Sequence, residues 1–205
     1  MPKTPHAFLW LDLETTGLDM EQDQILEVGV ILTDFDLNKI DGYQEVIKLT
    51  KQGAERLRAN DVVKKMHQEN GLIKESAAAT LTLPQVEEAI IKWLKEDTTF
   101  DKGEFMLAGS GNAAFDFAWI KKHMPQLASW VAYYPADVGI FRRMVRIFNG
   151  GRDVIGSPAV SNDGHRSMSD LEYYIEEAKL YRDWVGNAES ALADKAAAWA
   201  GQAEQ

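Results

Sequence analysis

Asp12 and Glu14 stand two residues apart in the otherwise apolar run Ala7-Phe8-Leu9-Trp10-Leu11-Asp12-Leu13-Glu14. In an extended chain, period two puts both carboxylates on one face, roughly 6–7 Å apart, and sends Leu11 and Leu13 to the other. Two acids on one face of an apolar strand are costly unless something cationic binds them. Thr15-Thr16-Gly17 then turns the chain, leaving both acids at a strand end where a ligand has access. The chemistry such a pair offers is cation binding. Asp-x-Glu also occurs where a strand frays into solvent, so the pair alone decides nothing.

Two distant segments supply further groups of the same kind. Gly111-Asn112-Ala113-Ala114-Phe115-Asp116 follows an apolar run and opens a helical one, which puts Asp116 in a first helical turn, where the helix dipole favours an acid. Gly164-His165 closes a long polar loop, and Asp170 follows at the start of the last core helix. Taken singly, a histidine beside glycine reads as a surface residue, and so do His6, His67 and His123.

The elements that must position these groups follow from periodicity. Residues 7–14, 25–32 and 40–49 read as strands with short connections, an early antiparallel meander. Thr82 and Gln85 form a capping box with Pro84 in the first turn, and Val86, Ala89, Ile90, Trp93 and Leu94 then mark one face of a helix. Residues 105–108 read as a strand, 115–123 as a helix stopping before Pro125, and 133–138 as a short strand. A helix through Phe141, Met144, Val145 and Phe148 leads into the polar, glycine-rich loop 149–164. The last core helix spans about residues 169–185, with Leu171, Tyr174, Ile175, Ala178 and Trp184 as its buried face. Residues 186–205 contain eight alanines and read as a marginal helix or tail, docked by Leu192 and Trp199. This divides the chain into a domain at 1–185 and an appendage at 186–205.

Composition narrows the class. The 205 residues are 45% apolar, enough for one globular domain with a sizeable core. The absence of cysteine excludes disulfides, thiolate metal sites and a cysteine nucleophile. A net charge of −10 argues against non-specific coating of nucleic acid, yet leaves room for an enzyme that grips one strand end through metal ions. No apolar run is long enough to span a bilayer, and the N-terminus has no signal-like stretch. The expectation is an acidic α/β chain of a reducing compartment, cytoplasmic, with no membrane partner.

Taken together, Asp12-Leu-Glu14-Thr-Thr-Gly17, Asn112-Ala-x-Phe-Asp116 and His165-x4-Asp170 resemble the DEDDh family of 3′→5′ exonucleases, in the right order and over most of residues 7–185. Within it the chain is most similar to the oligoribonuclease branch, through Met66-His67-x-x-Asn70-Gly71-Leu72, Lys122-His123-Met124-Pro125-Gln126-Leu127, Tyr133-x-x-x-Asp137-Val138 and the Tyr-Arg-Asp-Trp ending at Trp184. The resemblance implies a ribonuclease H-like five-stranded mixed sheet with helices on both faces. It also implies a metal-dependent exoribonuclease that releases 5′-mononucleotides from the 3′ ends of short RNA.

Two divalent cations, Mg²⁺ or Mn²⁺, suit a donor set of Asp12, Glu14, Asp116 and Asp170, since hard ions take oxygen ligands. The family implies that Asp12 bridges both ions, that Glu14 and Asp170 complete one, and that Asp116 reaches the other. His165 would be the general base, for which an unperturbed pKa of about 6.5 is suited. Backbone groups at Thr15 and Thr16 would meet the terminal 3′ hydroxyl. Leu18 would wedge against the terminal bases, or else tuck into the core as a turn leucine. His67 would lie near a substrate phosphate, and Tyr133 would reach into a partner subunit's site, which implies a homodimer.

The chain departs from the oligoribonuclease pattern at several positions. Val62 falls where a tryptophan is usual, removing a base-stacking platform; Asn70 replaces a serine, and Tyr134 an arginine. The block ending in Asp116 is written more like the DNA-directed branch, so the alternative is a proofreading-like or repair-like exonuclease on single-stranded DNA. A catalytically silent adaptor is the remote reading, because all five catalytic positions are filled.

Overall fold

The computed structural model of the protein describes residues 4–96, 100–111, 115–156, 158 and 164–203, with side chains described as far as residue 187. Five strands, β1 (Ala7–Thr15), β2 (Ile25–Thr33), β3 (Lys39–Val46), β4 (Phe105–Gly109) and β5 (Ala136–Asp137), form one mixed sheet in the order β3-β2-β1-β4-β5. The first three are an antiparallel meander, and β4 and β5 join it in parallel, as expected.

The expected third strand overruns the observed one. After Val46 the backbone donors leave the ladder for three different segments: Ile47 bonds to Leu26 O, Lys48 to Leu81 O and Leu49 to Ser76 O. The stretch expected as a strand at 133–138 pairs only at Ala136 and Asp137, which lie beside Ala108 and Gly109.

The helices are α1 (Lys51–Ala59), α2 (Asp61–Glu69), α3 (Leu72–Ala78), α4 (Leu83–Glu96), α5 (Asp116–His123), α6 (Pro125–Ala128), α7 (Val138–Phe148) and α8 (Ser167–Ala203). Helices α1 to α3 are additional to the elements that periodicity predicts, although start signals mark two of them. Thr50 caps α1 by accepting the Gly53 amide, and Asn60 caps α2 by accepting the Val63 amide. At the start of α4 Gln85 Oε1 accepts the Thr82 N–H (2.9 Å), one half of the capping box, and the Thr82 hydroxyl donates to the same oxygen (2.8 Å).

Strand periodicity divides the core between the two faces of the sheet. Leu9, Leu11 and Leu13 of β1 pack with Val28 and Val30 of β2 beneath α4 and α5, whose Val86, Ile90, Leu94, Trp119 and Ile120 are buried. Trp10, Ile31 and Ala108 face the other way and meet Leu171 and Ile175 of α8. Trp10 also donates from its indole nitrogen to the Thr33 hydroxyl (3.0 Å), so its one polar atom is satisfied within the core.

The last helix does not end near residue 185. α8 continues to Ala203, because the alanine-rich stretch combines strong helix formers with no proline, and its two glycines are not enough to break it. The side chains of Leu192 and Trp199, expected to dock it, lie outside the described residues.

Candidate active site

Asp12 and Glu14 lie at the carboxyl end of the central strand, on the face that Trp10 shares with α8. The last pair joining β1 to β4 is Trp10 with Ala108, so the acids project beyond the edge of β4. Opposite Asp12 in the ladder stands Gly29, and its lack of a side chain brings α8 close. A Cβ there would lie 2.5 Å from Ser167 Oγ and 3.2 Å from the Ser167 carbonyl carbon. The first turn of α8 therefore rests on the sheet, and Asp170 meets Asp12 and Glu14 with one oxygen from each within 4.8 Å of the others.

Asp116 is buried in the first turn of α5, as the helix-dipole argument expected. It stands outside the 4.8 Å group, but its charge reaches Asp12. Of the block that precedes it, residues 112–114 lie outside the described residues. Asp137, which caps α7 through the Ile140 amide (2.8 Å), also accepts the Gly111 amide and ties that loop to β5.

Crowding governs the ionisation of these acids. Burial, then the charges of Asp116, Glu14 and Asp170, raise the Asp12 pKa well above the carboxylate range. Burial first, then Asp170 and Glu27, push Glu14 up to about 9. Burial raises Asp170 to about 6 despite the opposing influence of His165. Asp170 Oδ1 is buried without a hydrogen-bond partner among the described residues. Clustered carboxylates with an orphaned buried oxygen fit hard divalent cations, which supply the positive charge and the missing partner.

Glu27 was not anticipated from the sequence, although an acid inside the apolar run Ile25-Leu26-Glu27-Val28 is the same signal that singled out Asp12. It is fully buried and paired with Arg166 (2.6 Å), and it accepts from the Ser167 amide (2.9 Å) and Ser167 Oγ (3.0 Å). The start of α8, and with it Asp170, is thus pinned to β2. Arg166 also pairs with Glu75 of α3 (2.7 Å).

The remaining expected site residues fall into two groups. His165 is exposed, with φ of +44°, and lines a cleft of about 530 Å³ with Val62, Met66 and Asn70. Leu18 is 82% exposed at the tip of the turn after β1, which excludes the reading of a leucine tucked into the core. Tyr133 is 76% exposed and lies edge-on to Tyr134.

His67 is placed otherwise than expected. His67 has no exposure; its Nε2–H donates to Thr15 O (2.9 Å) and lies 3.8 Å from Glu14, and burial lowers its pKa, so the ring is neutral and closed off from substrate. It braces the strand end from behind. Thr15 O is bonded to this ring and Thr16 N–H to Gln24 O (2.9 Å), while the Thr16 hydroxyl donates to Asp23 (2.9 Å). Of the backbone groups at Thr15 and Thr16, the Thr15 carbonyl and the Thr16 N–H therefore have partners inside the protein.

A family model described as exonuclease matches residues 9–178. The chain is 32% identical to an oligoribonuclease of Arabidopsis thaliana, across 88% of this chain and 78% of the relative. It is 33% identical to one of Mycobacterium avium (85% and 79%) and 32% identical to a mitochondrial oligoribonuclease of Mus musculus (85% and 71%).

Among solved structures it is similar to exonuclease I of Methylocaldum szegediense, with TM-score 0.63 and 19% identity, across 87% of this chain and 40% of that one. It also matches E. coli exonuclease I in complex with a dT13 oligonucleotide, with TM-score 0.61 and 18% identity, across 91% and 43%. The chain spans less than half the length of these exonuclease I structures, and the likeness extends to the fold.

Proposed function

This chain belongs to the exonuclease family that includes the oligoribonucleases, and from that membership we propose a 3′→5′ exoribonuclease that hydrolyses short RNA to 5′-mononucleotides using divalent metal ions. The observation that carries the reading is the meeting of Asp12, Glu14 and Asp170, from the first strand and the last helix, within 4.8 Å. Those three and Asp116 would hold two ions, Mg²⁺ or Mn²⁺. When bound, such ions stabilise charge on the phosphoryl oxygens and make water a better nucleophile.

The chain's own residues account for the rest. His165, exposed and close enough to Asp170 for its charge to be felt there, accepts the proton of the attacking water at an imidazole nitrogen. Leu18, projecting into solvent, forms the apolar contact for terminal bases. His67 and Glu27 take no part in bond making; they hold Thr15 and Asp170 in place.

A second copy of the chain belongs to this reading. Tyr133 is exposed, as are Ile147 and Phe148 at the end of α7, and in a homodimer Tyr133 would approach the partner's site. Sedimentation equilibrium should return twice the chain mass, and a monomer at micromolar concentration would remove the dimer from the proposal. The absence of cysteine suits a reducing compartment such as the cytoplasm.

The activity is tested with 3′-labelled di- and pentaribonucleotides and the matched DNA oligomers, with and without Mn²⁺. Metal-dependent release of 5′-mononucleotides, faster from RNA, is expected. Faster cleavage of DNA would transfer the enzyme to the other substrate class, and no hydrolysis of either would sink the reading.

A further inference from the structure

His165 is a non-glycine residue in left-handed backbone conformation, on a loop whose side chain projects into solvent. A residue keeps such a conformation only where its surroundings hold it. Those surroundings are specific here. The side-chain amide of Asn70, in the turn between α2 and α3, donates from Nδ2 to both Gly164 O (3.1 Å) and His165 O (2.7 Å). The amide is oriented from its other end, because Oδ1 accepts the Leu72 backbone N–H (3.0 Å). The next residue, Arg166, is locked between Glu27 and Glu75 and reaches Asn70 O at 3.5 Å. His165 thus follows a carbonyl clamped by α2–α3 and precedes a guanidinium anchored to β2.

We infer that Asn70 is the positioning residue for His165: its amide clamps the Gly164 and His165 carbonyls and so sets the direction in which the imidazole enters the cleft. The inference rests on the reading of His165 as the proton acceptor. Asn70 touches no reacting atom and acts only through the histidine. Glu27 and Arg166 fix both His165 and Asp170, whereas the Asn70 clamp bears on His165 alone, so its loss should spare the metal site.

The test uses Asn70→Asp, which keeps the oxygen that accepts from Leu72 but sets a second oxygen against the two carbonyls, and Asn70→Ala, which removes the clamp without adding charge. For both, kcat on a diribonucleotide should fall about 10- to 100-fold, with KM within about threefold of the parent, as expected of a displaced catalytic group. Melting temperature should fall modestly with the lost hydrogen bonds, whereas its rise with Mn²⁺ should stay at the parent value. In a His165→Ala background neither substitution should lower the residual rate further, because the clamp then has nothing to position.

Parent-like kcat in both variants, an equal further loss in the His165→Ala background, or a lost response to Mn²⁺ would each overturn the clamp. Should His165→Ala itself turn over at the parent rate, the assignment of His165 fails first and the clamp fails with it. An inactive His165→Ala beside fully active Asn70 variants refutes the clamp alone.

Discussion

Glu14 lies near the end of β1 with its carboxyl pushed up to about 9 by burial and by the charges of Asp170 and Glu27. At neutral pH the metal-free fold must hold this group protonated, although it ionises freely in the unfolded chain. Replacing it by the neutral amide removes that penalty. Glu14→Gln is expected to stabilise the metal-free protein by about 1–3 kcal/mol, a rise of several degrees in melting temperature, while reducing turnover by at least about a hundredfold and blunting the response to Mn²⁺. Thermal melts with and without EDTA check the first outcome and mononucleotide release the second; a destabilised metal-free variant would contradict the argument. The same residue scale separates two acids that look alike in sequence. Asp12 and Glu27 both interrupt apolar strands, yet Glu27 finds Arg166 and the amide of Ser167, whereas the charges that act most strongly on Asp12 are those of further carboxylates.

Among the elements, α8 carries the decisive placement. Its first turn rests where Gly29 has no side chain, and Glu27 accepts its leading amide at Ser167. A methyl group at Gly29 would press on both the side chain and the backbone of Ser167, which cannot give way without lifting the helix start. Gly29→Ala should therefore move Asp170 away from Asp12 and Glu14. The expected result is a loss of roughly 1–3 kcal/mol of stability together with a weakened Mn²⁺-dependent rise in melting temperature. Differential scanning fluorimetry across a Mn²⁺ titration checks both, and an unchanged midpoint would show that the close approach is not needed for the site. The element pattern itself was largely legible, since β1, β2, β4 and α4 carry unbroken periodicities. Helices α1 to α3 were not, because they are short and interleave polar with half-buried residues, so that their only clear marks are the caps at Thr50 and Asn60.

For the molecule as a whole, the acidic cluster couples folding to pH. Without metal, Asp170 at about 6 and Glu14 at about 9 both lie above their ordinary values of 3.8 and 4.5. Between the ordinary and the raised values the folded state binds more protons than the unfolded state, so stability decreases with rising pH. The contribution is complete below about pH 4 and is lost as pH climbs through about 6 for Asp170 and about 9 for Glu14. Divalent cations favour the ionised carboxylates and act in the opposite direction. The metal-free melting temperature should accordingly drop from pH 5 to pH 9, while the increment produced by millimolar Mn²⁺ should grow over the same range. A metal-independent profile would mean that the cluster does not bind cations.

The sequence by itself determined which side chains could act: four carboxylates and a histidine in three separated blocks, the strand that carries the first pair, the helices that carry Asp116 and Asp170, and the five-stranded mixed sheet implied by the family pattern. Those features are local, because period two and period three-to-four record the face on which each side chain lies. Only the tertiary structure decided which faces meet. It set Asp170 against Asp12 and Glu14, gave Glu27 to Arg166, turned His67 inward to hold Thr15 and placed Asn70 beneath His165. Each of these contacts joins residues far apart in the chain, and their meeting depends on how closely α8 and the α2–α3 turn pack on the sheet, which no local periodicity encodes.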